Sequence, residues 1–381
     1  MTISKCRVCY NDFFKKPLVR YENMPGSAQY LPAEESLKND KGVDLEVCQC
    51  TGCGLVQLSS DPVPYYKDVI RAVAFSEEMQ NFRKKQFDSL VRKYSLQQKK
   101  IIEIGCGCGE YLSLMQQSDV NAYGLEHLEE SVKQCAGHGL KVSKGFVESS
   151  THELKHAPFD AFYSLNFLEH LPDPNSTLRG IYRNLTDEAV GLIEVPNFDM
   201  ILRKKLFSEF IADHLLYFTS ATLATILTIN GFEILECNEI WHDYILSAVV
   251  RKRSKLDISE FNGYQAQLNN EIQKYIARFK DKRVAIWGAG HQAFAVISLT
   301  NLSNKIKFVV DSAVFKQGKY TPATHIPIVS PDTLKTDPVD AVIVMAASFS
   351  DEVAMILHRN YDKKMHISIL RNYGLEYVEN H

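Results

Sequence analysis

KIIEIGCGCG, residues 100–109, and the helix-like EYLSLMQQ that follows it decide the fold. A short apolar run of this kind reads as a buried strand. Gly105, Gly107 and Gly109 at alternate positions let the backbone turn sharply and approach a ligand without side-chain collision. Glu103 lies within the strand, and Cys106 and Cys108 are small fillers of the loop. The next strand, NAYGL, ends in Glu126, twenty-one residues after Gly105. A carboxylate at that place can accept both hydroxyls of a ribose.

Outward from this unit, short apolar runs alternate with helical stretches between about 99 and 250, with candidate strands at 100–104, 121–125, 160–164 and 190–195. Such alternation is the signature of an α/β fold, a parallel sheet with helices on both faces. Upstream, residues 75–97 carry Phe82, Phe87, Leu90, Val91 and Tyr94 at the spacing of an amphipathic helix. Downstream, a polar, helix-compatible stretch at 254–280 leads to a second alternation at 283–287, 306–310 and 340–345. The reading divides the chain into a cysteine-bearing module at 1–62, the first α/β domain at 63–253 and a second, Rossmann-like domain at 254–381.

Bulk properties bound the partners. With 43 basic and 46 acidic residues the net charge is −3, so no broad nucleic-acid or anionic-membrane surface is expected. The first residues lack the apolar stretch of a signal peptide, and no apolar run is long enough to span a bilayer. The expectation is a cytoplasmic protein, in which nine cysteines are not to be read as disulfides.

Four of those cysteines form two knuckle-like pairs, Cys6-x-x-Cys9 and Cys50-x-x-Cys53. Paired thiolates two residues apart can bite one tetrahedral Zn2+, and two pairs complete a closed, structural Cys₄ site. Cys48 stands beside the second pair as a spare ligand.

The third strand of the core opens onto Asn166-Phe-Leu-Glu169-His170-Leu-Pro-Asp-Pro. This run closely resembles the segment after the fourth strand of class I methyltransferases. With the glycine loop and Glu126, it points to S-adenosyl-L-methionine and away from NAD. The resemblance implies a Rossmann-like class I methyltransferase core whose cofactor is held by Glu103, Gly105, Cys106, Gly107, Gly109, Glu126, Asn166, Glu169 and His170.

Over nearly its whole length the chain resembles a narrower family, the C-methyltransferases of nucleotide-linked deoxysugars. These join a zinc-binding module, a methyltransferase core and a C-terminal nucleotide-fold domain. The matching residues include the two cysteine pairs, Asp213-His214-x-x-Tyr217-Phe218, Gly288-Ala-Gly290 and the stretch from Lys316 to Ile328. A tyrosine-rich stretch, Tyr65 to Arg71, fits only loosely. In that family the pattern Tyr-x-Glu-His supplies a base that removes a proton beside a keto group, and the enolate takes the methyl. The resemblance implies His214 as general base, with Asp213 and Tyr217 as its catalytic neighbours. Ile211 replaces the family's tyrosine, and WHDYILSA at 241–248 replaces a glycine-rich turn. Carbon is the leading acceptor, with sugar oxygen or nitrogen as alternatives, and His242 with Asp243 as a reserve pair.

In the last domain, RVAIWGAGHQA fits strand, G-x-G-x-x-A, helix, and Asp311 follows Gly290 by twenty-one residues. Alone, this suggests an NAD-using oxidoreductase. The family resemblance instead implies a nucleotide-sugar held by Gly288, Gly290, His291 and Asp311, with Asn197 from the core. A non-catalytic scaffold of two nucleotide folds is the remaining reading.

Overall fold

A computed structural model describes residues 3–29, 31–68, 76–279 and 283–378. Phe75, Val69–Arg71 and Lys280, which fall within stretches read from the sequence, lie outside the described residues. The chain divides into two compact units, Met1–Lys255 and Leu256–His381.

The first unit begins with strands β1 (Val19–Met24), β2 (Val43–Gln49) and β3 (Val56–Leu58). Helix α1 (Glu77–Lys93) follows. The Ser76 hydroxyl caps it by accepting from the Met79 amide, with Glu77 and Glu78 in the first turn and Arg92 and Lys93 in the last. Both placements suit the helix dipole. Its inner face buries Met79, Arg83, Phe87, Leu90 and Val91. The charged Arg83 was not expected there. It is 1% exposed and pairs with Glu194, which is fully buried and also accepts from the Ser247 hydroxyl at 3.0 Å. Removing either partner would strand a buried charge.

The core then runs β4 (Lys100–Ile104), α2 (Glu110–Gln116), β5 (Asn121–Glu126), α3 (Glu129–Gly137), β6 (Val142–Lys144), β7 (Phe159–Leu165), α4 (Pro174–Arg183), β8 (Leu185–Pro196) and α5 (Phe198–Lys204). A two-residue strand β9 (Leu216–Tyr217), α6 (Ser220–Ile229), β10 (Phe232–Ile240) and β11 (Ile245–Lys252) complete the unit. The seven-stranded sheet has the order β10-β11-β8-β7-β4-β5-β6. Strands β6 to β8 are parallel, and β11 lies antiparallel to β8 and β10. Strand order reverses between β4 and β7, so their carboxyl ends open a crevice, the place where such sheets bind ligands. This is the Rossmann-like class I methyltransferase fold.

The N-terminal strands do not form a closed sheet of their own. Strand β3 pairs with β9, which follows directly on Asp213-His214, giving the order β1-β2-β3-β9. The cysteine-bearing segment is thereby tied to the loop that carries the expected base.

The second unit opens with helix α7 (Glu260–Ile276), then β12 (Val284–Trp287), α8 (His291–Leu299), β13 (Val309–Val310), β14 (Ile328–Val329), β15 (Ala341–Val344), β16 (His366–Arg371) and β17 (Gly374–Val378). The order is β14-β13-β12-β15-β16-β17, parallel except for the last hairpin. Ala285, Ile286 and Ile343 have no exposed surface, as expected of parallel strands covered on both faces. Among the described residues no helix is long and apolar enough to cross a membrane.

Candidate active site

The glycine loop leaves β4 at the reversal point. Gly105 has φ +74°, and a Cβ there would stand 3.0 Å from the Phe167 ring. Gly107 and Gly109 also lie in the left-handed region, at +55° and +85°. The third glycine serves packing: a Cβ on Gly109 would meet Leu140 at 2.4 Å and the Cys135 sulfur at 2.9 Å. Glu126 closes the loop from the end of β5. One of its carboxylate oxygens accepts from the Gly107 amide and the other from the Leu128 amide, both at 2.8 Å. These bonds fix the carboxylate at the mouth of the crevice.

Gly105, Gly107 and Glu126 line a cavity of about 250 Å³ that also takes in Asn166, Phe167, Glu169, His170, Asp213, His214 and Tyr244. The far wall comes from residues of the N-terminal segment, Ala28, Gln29 and Lys67. A second cavity, of about 370 Å³, shares Asn166 and Tyr244 with the first and reaches Arg83, Tyr111 and Trp241. A backbone cradle that a Cβ would obstruct, with a fixed carboxylate beside it, fits the adenosine portion of S-adenosyl-L-methionine.

The LEHLPDP run splits into two tasks. Asp173 caps α4 by accepting from the Ser176 amide, with Pro174 at the first helical position. The residues before that cap, Glu169 and His170, face the cavity. The His170 Nδ1 lies 2.8 Å from the Asp213 carbonyl oxygen, to which it donates, leaving Nε2 as the free nitrogen. Burial lowers its pKa. Glu169 is 1% exposed, and among the described residues neither carboxyl oxygen has a hydrogen-bond partner. Burial pushes its pKa up to about 8.

His214 meets His170 edge to face, with ring centroids 4.8 Å apart. Burial, helped by the neighbouring His170, lowers its pKa to about 3, so the ring is neutral at neutral pH. Asp213 does not orient that ring through any described hydrogen bond. Its carboxylate accepts from the Tyr65 hydroxyl at 3.0 Å and from the Ala28 amide at 3.0 Å. Asp213 thus fastens the N-terminal segment over the cavity. Helix α6 takes its cap from Thr219, in a capping box with Thr222, so His214 is not a capping residue.

Several residues read as site members are occupied elsewhere. Glu103 is fully buried and accepts from the Tyr163 hydroxyl at 2.9 Å. Cys106 is fully buried and packs beneath the loop. The Tyr217 hydroxyl exchanges hydrogen bonds with the Ile211 backbone, at 3.0 and 3.3 Å, because its ring is held in the aromatic cluster with Phe198 and Phe210. Asn197 spends its amide capping α5 and donating to the Asp243 carbonyl at 2.7 Å. His242 is largely exposed and borders the second cavity. Conversely, Tyr65, Ala28, Gln29, Lys67 and Tyr244 contribute to the first cavity or its closure. Only the loosely matching tyrosine stretch gave any sequence signal for them.

The cysteine pairs converge: the sulfurs of Cys6, Cys9, Cys50 and Cys53 all lie within 4.8 Å of one another. Amides of Val8, Gly52 and Cys53 and the Gln57 side chain donate to the Cys6 or Cys50 sulfur. Such donors suit thiolates that hold a metal. Cys48 lies outside this set.

In the second unit, Gly288 has φ +116°, and a Cβ would approach the Met345 carbonyl oxygen at 2.5 Å. Gly290 caps α8, and His291, its first residue, is exposed. The Asp311 carboxylate accepts from the Ala289 and Ala313 amides and from the Lys316 ammonium, at 2.8, 2.8 and 2.9 Å.

The chain is similar to known proteins over most of its length. Residues 77–237 match the model of the methyltransferase domain, and residues 252–368 that of the C-methyltransferase C-terminal domain. The C-methyltransferase NovU of Streptomyces niveus is 22% identical over 387 residues, which span 92% of this chain and 91% of NovU. A ubiquinone biosynthesis O-methyltransferase of Bordetella avium is 32% identical over 90 residues, 22% of this chain and 37% of that enzyme. Among solved structures, magnesium protoporphyrin IX methyltransferase of Synechocystis PCC 6803 with bound SAH matches at 16% identity and TM-score 0.39, over 49% of this chain and 90% of its own. The chain is an S-adenosylmethionine-dependent methyltransferase of class I fold.

Proposed function

We propose that the protein transfers a methyl group to a carbon atom beside the keto group of a nucleotide-linked sugar, with His214 as general base. The observation that carries this reading is the single cavity in which Glu126 and the glycine loop face His214, His170 and Glu169. S-adenosyl-L-methionine, when bound, supplies an electrophilic methyl. Glu126 accepts the ribose hydroxyls, and Gly105 and Gly107 admit the backbone close to the ligand. His214, kept neutral by burial, takes the proton from the carbon next to the carbonyl. Ala28, Gln29 and Lys67, held over the cavity through Asp213, exclude water and orient the sugar.

Zn2+ held by Cys6, Cys9, Cys50 and Cys53 completes the reading as a structural ion, because a full set of four thiolates leaves no position open to substrate. The nucleotide-sugar class is supported by the likeness of the whole chain to sugar C-methyltransferases. Gly288, Gly290 and His291 are the proposed diphosphate contacts of the second unit. Oxygen transfer is the second reading, because a sugar hydroxyl needs only a base such as His214 to take its proton.

The test is incubation of zinc-loaded protein with S-adenosyl-L-methionine and thymidine diphosphate-4-keto-6-deoxyglucose, followed by mass spectrometry and NMR of the product. A new carbon-bound methyl, lost in His214→Ala, is expected. A methyl on oxygen, or none with any keto nucleotide-sugar, defeats the assignment.

A further inference from the structure

Glu169 is the anomaly of the cavity. A carboxylate removed from water is costly unless it is paired or hydrogen-bonded. Among the described residues, neither buried oxygen has a hydrogen-bond partner. His170 Nε2 stands 3.8 Å from Oε1, beyond hydrogen-bond reach. The titratable groups on the surrounding walls are Lys67, Glu126, His170, Asp213, His214 and Tyr244. The one permanent cation among them, Lys67, is engaged by Glu148. Nothing described here compensates a negative charge on Glu169, whereas a protonated carboxyl is neutral and offers one O–H donor to the cavity.

We infer that Glu169 acts as a neutral carboxylic acid whose O–H donates a hydrogen bond to the sugar carbonyl oxygen as the neighbouring carbon loses its proton to His214. The inference rests on the keto-sugar reading above. A nitrogen of His214 and a carboxyl oxygen of Glu169 lie within 4.8 Å of each other. From standard bond lengths, a carbonyl oxygen and its α-carbon are about 2.4 Å apart. An acid reaching the oxygen and a base reaching the α-hydrogen are therefore separated by roughly that distance plus their sideways reach. The pair spans an enolising ketone.

The step balances without an outside reagent. The α C–H bond breaks, its proton goes to the His214 nitrogen, and its electron pair forms the carbon–carbon double bond. The carbonyl π pair moves onto oxygen, where the Glu169 O–H stabilises it. As the new carbon–methyl bond forms, the carbonyl returns, the methyl–sulfur pair leaves on sulfur, and the His214 proton passes to solvent. The same assignment explains how the site works with Ile211 where the related family has a tyrosine: the carboxyl supplies the missing O–H. It also suits a buried base that is hard to charge, because stabilising the oxyanion lowers the demand on that base.

Two measurements test it. The first is infrared spectroscopy of the zinc-loaded protein, which needs no sugar. A carbonyl stretch of a protonated carboxyl, present at pH 7, lost as pH rises past 8 and missing in Glu169→Gln, is expected. Its absence at pH 7 overturns the inference whatever the substrate. The second compares Glu169→Gln, which keeps a neutral donor, with Glu169→Ala, which does not. Washout of the α-hydrogen of thymidine diphosphate-4-keto-6-deoxyglucose into D₂O, followed by NMR, should fall about 100-fold or more in Glu169→Ala but within about tenfold in Glu169→Gln. Equal losses in both variants overturn the inference, as does Mn²⁺ binding, seen by electron paramagnetic resonance, that Glu169→Gln abolishes. If wild type shows the infrared band but neither washout nor methyl transfer, the protonated acid stands and the keto-sugar role falls.

Discussion

The two glycine loops of this chain follow one recipe and end differently. Each leaves a central parallel strand, each enters a helix, and each is followed by an acidic residue at the end of the next strand, twenty-one residues after Gly105 in one case and after Gly290 in the other. In the first unit the carboxylate of Glu126 is held, among the described residues, by two backbone amides and borders a cavity. In the second, Asp311 takes two comparable amides and a lysine ammonium besides. A carboxylate held by amides keeps lone pairs for a ribose, whereas one neutralised by a cation has less to offer. The motif specifies the turn in both units, and what differs is the set of partners around its acid.

The largest test of this contrast concerns the proposed zinc site. Replacing Cys53 with Ser, or removing zinc with a chelator, should destabilise the first unit by several kcal/mol, since structural zinc contributes folding energy outright. Hydrogen exchange resolved by peptide should show loss of protection in β2, β3 and β9 and little change in β12 and β15. Equal loss in both units breaks the separation. Next, Glu126→Ala should weaken S-adenosylhomocysteine binding about 100-fold by calorimetry, the cost of leaving ribose hydroxyls without their acceptor. Asp311→Ala should leave that affinity within about twofold, a difference below 0.5 kcal/mol. A comparable loss from both changes would show that the two acids are not used differently.

Much of this architecture was legible in the sequence. The strands of the core announce themselves because parallel strands buried on both faces are short, mostly apolar runs, as at 100–104 and 121–125. The cavity lined by Gly105, Gly107 and Glu126 was legible because these residues follow the ends of two adjacent strands. What escaped depends on contacts across long sequence separations. Tyr65 and Ala28 reach Asp213 over 148 and 185 residues. Arg83 is buried on a helix face that periodicity assigns to apolar residues, its partner Glu194 lying 111 residues away. Tyr217 and Asn197 were assigned to the site by the family resemblance. The aromatic cluster and the start of α5 consume those polar groups.

The pH response should report on the cavity of the first unit. His214 has a folded pKa of about 3 against an ordinary value of 6.5. Between those values the unfolded chain holds a proton that the native site rejects, so stability falls as pH drops, by up to about 1.4 kcal/mol per pH unit. Glu169 acts in the opposite sense. Its folded pKa of about 8 exceeds the ordinary 4.5, so the native site holds the extra proton and stability falls as pH rises between those values. The two effects oppose each other from 4.5 to 6.5, which leaves His214 exposed below that window and Glu169 above it. Denaturant titrations from pH 3 to 8 should show His214→Gln flattening the acid limb and Glu169→Gln the alkaline one. A variant with unchanged slopes would mean that its parent side chain is not desolvated.

The smallest effect concerns Lys316, whose ammonium is 29% exposed opposite an Asp311 carboxylate that is 11% exposed. Burial alone would raise the Asp311 pKa, but Lys316 and the two amides outweigh it and hold it below the ordinary carboxylate range. The stabilisation from this pair is thus present above the ordinary carboxylate pKa and lost as pH falls through the lower, folded value. Because the lysine is partly exposed, water screens the pair, and Lys316→Ala should cost no more than about 1 kcal/mol at neutral pH. Exchange of the β12 and β13 amides is the readout, and the difference from wild type should vanish in acid. The Ala289 and Ala313 amides still hold the carboxylate in the variant, so its position is retained while its charge is released. NAD titrated into wild type should give no heat. If it binds only to Lys316→Ala, one lysine is what separates the second loop from dinucleotide use. If it binds to neither, the loop's geometry already excludes it, and the difference between the two loops lies deeper than the charge beside the acid.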